Sequence, residues 1–139
     1  MILVDSNVLI GLADPRDRLN RFAVADLKRL TGQDLFLASA VVSEVCFLMP
    51  DWHHRGRVRD LVHDLHIRPV AFPDEARLWT EVFTWLERYA EHEPDWADGY
   101  LAVACGREKR FKVWTYDREF QTLWRRPDGT RIPLVTKAS

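Results

Sequence analysis

The chain of 139 residues has only two cysteines, no long apolar run and no marked excess of charge of either sign. Cys46 and Cys105 lie far apart in apolar, helix-like segments, which indicates buried thiols and implies no disulfide framework. The apolar stretches fall short of the ~18 residues that a membrane span needs, and no secretory leader pattern opens the chain. We therefore expect a soluble, cytoplasmic protein without membrane association.

The charge balance leaves the class of binding partner open. The formal net charge is −1 and 29% of the residues are charged, so no global positive field marks a nucleic-acid-binding protein. A near-neutral total can hide opposed local patches, so an RNA partner is neither required nor excluded. The length is close to the modal size of one domain, and we expect a single domain over residues 1–139.

Short apolar segments alternate with longer segments of helical periodicity, which is typical of α/β proteins with a mainly parallel sheet. The predicted strands are Ile2–Asp5, Leu35–Ala38, Ile67–Phe72, Lys112–Tyr116 and, more weakly, Ile132–Val135. The predicted helices are Val8–Ala13, Arg16–Leu30, Ser39–Leu48, a segment ending near His66, Asp74–Glu91, Asp95–Glu108 and Arg118–Leu123. The expected fold is a three-layer α/β/α sandwich with a sheet of four to five strands.

Two of the predicted strands run directly into an aspartate. Asp5 follows the first strand and Asp117 follows the fourth, and ligands bind at the carboxyl ends of parallel strands. Glu44 lies among apolar residues of a predicted helix, where a carboxylate is conspicuous, and Asp98 lies in the first turn of the last long helix. Oxygen ligands of this kind suit Mg²⁺ or Mn²⁺. One metal site would account for all four acids together.

Each of these acids also has a purely structural explanation. Asp95 and Asp98 fit a capping box. Asp95 could be a cap, an extra metal ligand or a hydrogen-bond partner of a ligand, and we favour the cap. Asp117 could cap the short helix that follows it, and Asp5 could close a turn. Glu44 could lie on a solvated helix edge. These explanations must be invoked separately for each acid, whereas the metal site explains them jointly.

Four segments carry a recognisable pattern in order and spacing. Residues 2–10 read as an apolar strand, Asp, Ser, Asn and an apolar helix start, and residues 39–45 carry a Ser and a helix-borne Glu. Residues 96–104 contain Asp-x-x-Leu-Ala-x-Ala, and residues 115–120 read Thr-x-Asp-x-x-Phe. Together they resemble the PIN domain family and, within it, the VapC-like toxin ribonucleases of toxin-antitoxin modules. The resemblance covers essentially the whole chain.

The resemblance implies a PIN-like nuclease domain that acts as a metal-dependent endoribonuclease, cleaving RNA phosphodiester bonds with activated water. Its catalytic, metal-binding carboxylates would be Asp5, Glu44, Asp98 and Asp117. They would hold one or two Mg²⁺ or Mn²⁺ ions, with Glu44 orienting a water or acting as base. Asn7 and Thr115 would fix the orientation of the carboxylates by hydrogen bonds.

The resemblance also implies binding partners. These are an RNA substrate, a cognate antitoxin protein that blocks the site, and a second copy of the chain in a homodimer. Cations should border an acidic site that accepts RNA phosphates. The candidates are Arg16, Arg18, Arg118, Arg125 and Arg126. The segment 125–130 could equally be an ordinary turn with its charges in water.

Two other classes of protein fit part of the pattern. Haloacid-dehalogenase-like phosphotransfer enzymes also place an aspartate after the first strand, but they need a second aspartate two residues later, where this sequence has Asn7. A non-catalytic partner-binding module would use the acids as helix caps and the helices as a partner surface. Metal binding separates the nuclease from the module, and an aspartyl-phosphate would mark the phosphotransfer enzyme.

Overall fold

The computed structural model describes residues 1–135 and contains a sheet of four parallel strands in the order β3-β2-β1-β4. The strands are β1 (Ile2–Val4), β2 (Leu35–Leu37), β3 (Arg68–Pro69) and β4 (Lys112–Trp114). The helices are α1 (Ser6–Ala13), α2 (Asn20–Arg29), α3 (Ser39–Leu48), α4 (Trp52–Asp64), α5 (Glu75–Arg88), α6 (Trp96–Arg107) and α7 (Glu119–Thr122), with a 3-10 turn at Ala90–His92. The single-domain prediction extends to residues 136–139, which lie outside the described residues.

The central strand β1 is apolar throughout because helices cover both faces of the sheet. It pairs with β2 on one side and with β4 on the other, and its three residues are at most 1% exposed. Connections between parallel strands are right-handed, so the two crossovers from β1 through β2 to β3 place α1 to α4 on one face. The return from β3 to β4 places α5 and α6 on the other. The predicted three-layer α/β/α sandwich is confirmed.

The weakest predicted strand does not become a full strand. Within Ile132–Val135, Leu134 forms an isolated parallel bridge to Val113 of β4. The Val113 N–H donates to the Pro133 carbonyl at 2.8 Å, and the Val135 N–H donates to the Val113 carbonyl at 3.1 Å. Pro133 has no N–H with which to continue the ladder. The sheet therefore has four strands and one additional bridge.

The second predicted helix begins at Asn20 instead of Arg16. Two aspartates before it hold the chain in turns. The Asp14 side chain accepts a hydrogen bond from the Arg16 N–H at 2.9 Å, and the Asp17 side chain accepts one from the Leu19 N–H at 3.0 Å. These local bonds compete with the helical ladder, which explains the later start.

Gly99 in the first turn of α6 allows α5 to pack closely against it. A Cβ at this position would lie 3.0 Å from Val82 Cγ1 and 3.1 Å from Trp85 Cε3. Val82 and Trp85 are buried, so neither can move aside easily. Glycine costs ~1 kcal/mol relative to alanine inside a helix. Close contact between the two helices accounts for a residue whose reason is not visible in the sequence.

The two cysteines are free thiols, as the sequence predicts. Cys105 is fully buried in α6, and this burial raises the pKa of its thiol to about 12. Cys46 is half-buried in α3. Among residues 1–135, no helix is both long enough and apolar enough to cross a membrane.

Candidate active site

The carboxyl ends of β1 and β4 lie side by side and bring their acids to the same edge of the sheet. The Asp5 N–H donates to the Trp114 carbonyl at 3.0 Å, which ties the first residue after β1 to the last residue of β4. Asp5 then caps the N-terminus of α1, and Asp117 follows three residues after Trp114. The two strand ends therefore lie next to each other, as the sequence suggests.

Asp5 is a buried carboxylate with a donor on each oxygen. It is 4% exposed. Its Oδ1 accepts a hydrogen bond from the Ser6 N–H at 2.8 Å, and its Oδ2 accepts one from the Thr115 hydroxyl at 2.7 Å. The pKa of Asp5 is raised to about 6 in total. Burial is the main cause, the charges of Asp117 and Asp95 add to it, and the two hydrogen bonds act in the opposite direction.

Thr115 and Asn7 form the hydrogen-bond network behind Asp5. The Thr115 hydroxyl oxygen accepts from Asn7 Nδ2 at 3.2 Å and from the Asp117 N–H at 3.1 Å. Because a hydroxyl carries one hydrogen, the hydrogen of Thr115 points at Asp5. Asn7 Oδ1 accepts from the Tyr116 N–H at 3.1 Å, which sets the orientation of its amide. The orientation of the Asp5 carboxylate therefore depends on two polar side chains.

Glu44 reaches this edge of the sheet from α3. The Ser6 hydroxyl donates a hydrogen bond to Glu44 Oε1. The pKa of Glu44 is raised to about 7 in total. Burial is the main cause, and a hydrogen bond with the Asp95 carboxyl and the charges of Asp95 and Asp5 act in the same direction. Glu44 is half-buried and contacts two side chains of the site. The alternative of a freely solvated helix edge does not describe it.

Asp95 and Asp98 form the capping box that the sequence predicts. Asp95 Oδ1 accepts from the Asp98 N–H at 2.8 Å, and Asp98 Oδ2 accepts from the Asp95 N–H at 3.2 Å. Burial raises the pKa of Asp98 to about 8, followed by the charge of Asp95. The charge of Asp5 contributes as well, so Asp98 faces the strand ends. The same two aspartates thus cap α6 and belong to the site.

Asp117 likewise has two roles. Its Oδ1 accepts from the Glu119 N–H at 3.0 Å, which stabilises the start of α7, as the capping explanation predicts. Its charge also contributes to the raised pKa of Asp5. The half-buried Asp117 thus lies within electrostatic reach of the first strand end.

The fold therefore assembles five carboxylates, which we call the acidic cluster: Asp5, Glu44, Asp95, Asp98 and Asp117. Like charges in a poorly solvated site repel one another and retain protons, and a cation relieves this repulsion. The donors are all oxygen atoms, so their chemistry fits Mg²⁺ or Mn²⁺. Among residues 1–135, no three acidic, histidine or cysteine side chains already lie together as a ready-made metal site. The donor set suits the ion, but the ligand geometry is not preformed.

The family of the chain follows from its sequence and from this fold. A model of the PIN domain family matches residues 2–123. This chain belongs to the PIN domain family. No curated protein sequence matches it.

Two solved structures are similar to this PIN domain. VapC20 of Mycobacterium tuberculosis, a sarcin-ricin loop cleaving toxin, is 19% identical with a TM-score of 0.68, and the match covers 87% of this chain and 93% of VapC20. FitAcB of Neisseria gonorrhoeae is 23% identical with a TM-score of 0.57, and the match covers 85% and 88% of the two chains. At identities this low, the structural likeness shows a shared fold and no more.

One of the arginines predicted to border the acids, Arg126, lies elsewhere in this PIN domain. Arg126 Nε donates to the Cys105 carbonyl at 3.2 Å, which places it at the C-terminal end of α6. Asp98 lies seven residues earlier in that helix, a rise of roughly 10 Å. The prediction that Arg126 borders the acids is wrong. Arg125 Nη1 donates to the Trp124 carbonyl at 3.0 Å, and its place beside the acids stays a prediction.

Of the remaining three arginines, two are separated from Asp5 by a helix and one directly follows Asp117. Arg16 and Arg18 follow the C-terminal end of α1, whereas Asp5 caps its N-terminal end, about 12 Å away along a helix of eight residues. Arg118 directly follows Asp117 and caps α7. Of the five predicted arginines, Arg118 is the one adjacent in sequence to the acidic cluster.

Sequence reasoning missed three features of the site. Ser6 links α1 to Glu44, and its position directly after Asp5 could have indicated this. Asp95 was favoured as a cap over a ligand role, and its side chain interacts with Glu44 as well. Tyr116 bonds to a side chain 90 residues earlier, and no local pattern signals such a contact.

Proposed function

We propose that this PIN domain is a Mg²⁺- or Mn²⁺-dependent endoribonuclease and the toxin of a toxin-antitoxin pair. The observation that supports the proposal is the acidic cluster itself. Burial and mutual repulsion raise the pKa values of Asp5, Glu44 and Asp98 to about 6, 7 and 8. Perturbed carboxylates of this kind concentrate at functional sites. Caps alone would not require five acids from four separate segments at one edge of the sheet.

Asp5 and Asp98 would be the principal metal ligands, and Asp117 would bind directly or through water. The ion would supply a water of lowered pKa and would polarise the scissile phosphate. Thr115 and Ser6 hold Asp5 in place through its two oxygens. Asn7 in turn donates to Thr115. Ser6, Thr115 and Asn7 would thus orient the Asp5 carboxylate before RNA arrives.

Glu44 would orient the attacking water or remove its proton. Its pKa of about 7 leaves a large fraction unprotonated at neutral pH, which suits a general base. Attack would form a bond from the water oxygen to phosphorus and break the bond to the leaving oxygen, which takes up a proton from solvent water and departs as the 3′-hydroxyl. The Ser6 hydroxyl, which donates to Glu44, would keep the carboxylate in position.

RNA as the substrate is supported by the family and by the likeness to VapC20, a toxin that cleaves the sarcin-ricin loop. Protein partners are supported by exposed apolar side chains at the junction of α3 and α4. Phe47, Leu48 and Trp52 are exposed there, and clustered apolar side chains on a surface mark protein interfaces. An antitoxin and a second copy of the chain are the proposed partners.

The decisive experiment compares wild type with Asp98→Asn on a defined RNA substrate, with Mg²⁺ or Mn²⁺ and after chelation. Asp64→Asn is the matched control, because Asp64 is an exposed residue at the end of α4 outside the acidic cluster. We expect cleavage by wild type and Asp64→Asn with metal, and none by Asp98→Asn or after chelation. Cleavage that survives either Asp98→Asn or chelation would contradict the proposal.

The same pair of proteins identifies the substrate in cells. Wild type and Asp98→Asn are induced separately, and the 5′ and 3′ ends of total RNA are mapped. Ends that arise only with wild type define the cleaved RNA and position. Phosphotransfer is disfavoured by the PIN family match and by Asn7, which occupies the position of the acid that this chemistry needs.

A further inference from the structure

Tyr116 lies between Thr115 and Asp117 and is bonded at both of its ends. Its hydroxyl donates to Asp26 Oδ2 at 2.6 Å and accepts from the Trp114 indole N–H at 3.1 Å. Its backbone N–H donates to Asn7 Oδ1 at 3.1 Å. Asp26 belongs to α2, so the tyrosine connects the segment after β4 to a helix far away in the sequence.

The direction of the bond between Tyr116 and Asp26 follows from hydrogen counting. An indole N–H can only donate, so the single hydrogen of the Tyr116 hydroxyl is directed to Asp26. An oxygen distance of 2.6 Å is that of a charge-assisted hydrogen bond. The second oxygen of Asp26 accepts from Arg29 Nη2 at 2.8 Å, which fixes the carboxylate from the other side.

The segment 115–117 needs such an anchor because it has left the sheet. Strand β4 ends at Trp114, so the ladder that holds β4 to β1 no longer restrains the residues that follow. Thr115 nevertheless must point its hydroxyl at Asp5, and Asp117 must lie near Asp5. Between these two residues, the long tyrosine side chain makes the connection to a helix of the core.

We propose that Tyr116 is a positioning residue, whose hydroxyl anchors the segment 115–117 to Asp26 and so places Thr115 and Asp117 against Asp5. The inference rests on the proposed metal-dependent function, because its consequence is a better ordered set of carboxylates for the ion. It assigns to Asp26, a residue outside the acidic cluster, an indirect part in metal binding.

Three variants test the anchor. Tyr116→Phe removes only the hydroxyl. Asp26→Ala removes its acceptor, together with the exposed ion pair to Arg29, and leaves the Trp114 bond to Tyr116 intact. Asp26→Asn keeps an acceptor oxygen and is the conservative variant. Tyr89→Phe is the matched control, because it removes a hydroxyl from a ring that packs on Trp85 and Trp124, outside the acidic cluster.

The measurements are Mn²⁺ affinity by calorimetry without RNA, hydrogen exchange of the Asp117 amide, and kcat and KM on a defined RNA. We expect Tyr116→Phe and Asp26→Ala each to weaken Mn²⁺ binding about 10-fold, the lower end of losses from outer-shell partners of metal ligands. The Asp117 amide should exchange faster in both variants, and kcat should fall while KM is kept. Asp26→Asn and Tyr89→Phe should resemble wild type.

The double variant Tyr116→Phe with Asp26→Ala gives the sharpest result, because two partners in one bond should not add. We expect its Mn²⁺ affinity to equal that of either single variant. Additive losses, an effect of Tyr116→Phe without one of Asp26→Ala, or unchanged Mn²⁺ affinity and exchange in both would overturn the inference. Failure of wild type itself to bind Mn²⁺ or cleave RNA would overturn the proposed function, and all variants would then be equally inactive.

Discussion

The two ends of α6 use charge in opposite ways. At the N-terminal end, Asp95 interacts with both Asp98 and Glu44, and like charges are gathered where burial already disfavours them. At the C-terminal end, Arg107 forms an ion pair with Glu81 at 2.9 Å, and Arg126 donates to the Cys105 carbonyl. At the C-terminal end, the cations are paired with an opposite charge or with helix carbonyls. At the N-terminal end, the carboxylates repel one another.

A helix dipole favours acids at the N-terminus and cations at the C-terminus. Both ends of α6 follow this rule in charge sign, but only the C-terminal end gains stability from it. At the N-terminal end, burial outweighs the dipole and raises the pKa of Asp98 to about 8. Carboxylates that repel one another are expected where a cation binds, because the cation neutralises their charge and removes the repulsion.

The largest expected effect separates activity from stability at the N-terminal end. Asp98→Asn should reduce RNA cleavage at least ~1000-fold, equivalent to roughly 4 kcal/mol in the activation barrier. The same change should leave the metal-free protein as stable as wild type or more stable, by up to roughly 3 kcal/mol at pH 7, because it removes a carboxyl that must take up a proton at this pH to be buried. Single-turnover cleavage and urea unfolding measure the two quantities. A clear loss of stability would mean that Asp98 serves mainly as a cap.

The pH dependence of stability should have the same origin. A carboxyl whose pKa is raised in the folded protein binds more protons folded than unfolded, so the free energy of unfolding falls as pH rises between the two values. For Asp5 the interval runs from 3.8 to about 6, which corresponds to roughly 3 kcal/mol. Urea unfolding of the metal-free protein from pH 4 to pH 8 should show this decline. Saturating Mn²⁺ should flatten it, and a flat profile without metal would contradict the picture of stored repulsion.

The first turn of α6 also offers a smaller effect, which depends on packing alone. Gly99→Ala should lower the free energy of unfolding by about 1–3 kcal/mol, because the added methyl overpacks against buried Val82 and Trp85. Gly56→Ala in α4 is the matched control, since its Cβ would meet only ordinary contacts with Trp52, the nearest at 3.6 Å. That change should stabilise the protein by about 1 kcal/mol through helix propensity. Equal effects of the two substitutions would exclude the close approach of α5 as the reason for Gly99.

The smallest effect is expected at the C-terminal end. Arg126→Ala should lower the free energy of unfolding by about 1 kcal/mol, because it removes hydrogen bonds to the Cys105 carbonyl in α6 and to the Lys109 carbonyl just after the helix. RNA affinity and its salt dependence should stay unchanged, as measured by filter binding with the inactive Asp98→Asn background. A reduced salt dependence would place Arg126 at the RNA after all and would break the contrast between the two ends.

The sequence predicted the parts of the site that depend on local pattern. Apolar runs ending in Asp5 and Asp117 identified the strand ends, and the Asp95 and Asp98 spacing identified the capping box. Long-range contacts were not predictable. The bond between Tyr116 and Asp26 joins residues 90 positions apart, and the packing of Val82 on Gly99 depends on how two helices meet.

Misplaced predictions have the same cause. Arg126 follows the site in sequence but lies at the C-terminal end of α6, because the segment turns back onto that helix. Arg16 and Arg18 were similarly separated from Asp5 by the length of α1. Sequence proximity to an acid is a poor guide to spatial proximity when a helix lies between them.

The sequence by itself determined the element order, the α/β class and the chemical type of the site, because alternating apolar segments and acids at strand ends are local properties. The tertiary structure alone decided which acids meet, which arginines stay away and how strongly each carboxyl holds its proton. Burial and the distance between charges set those pKa values, and both exist only once β1, α3, α6 and the end of β4 have come together.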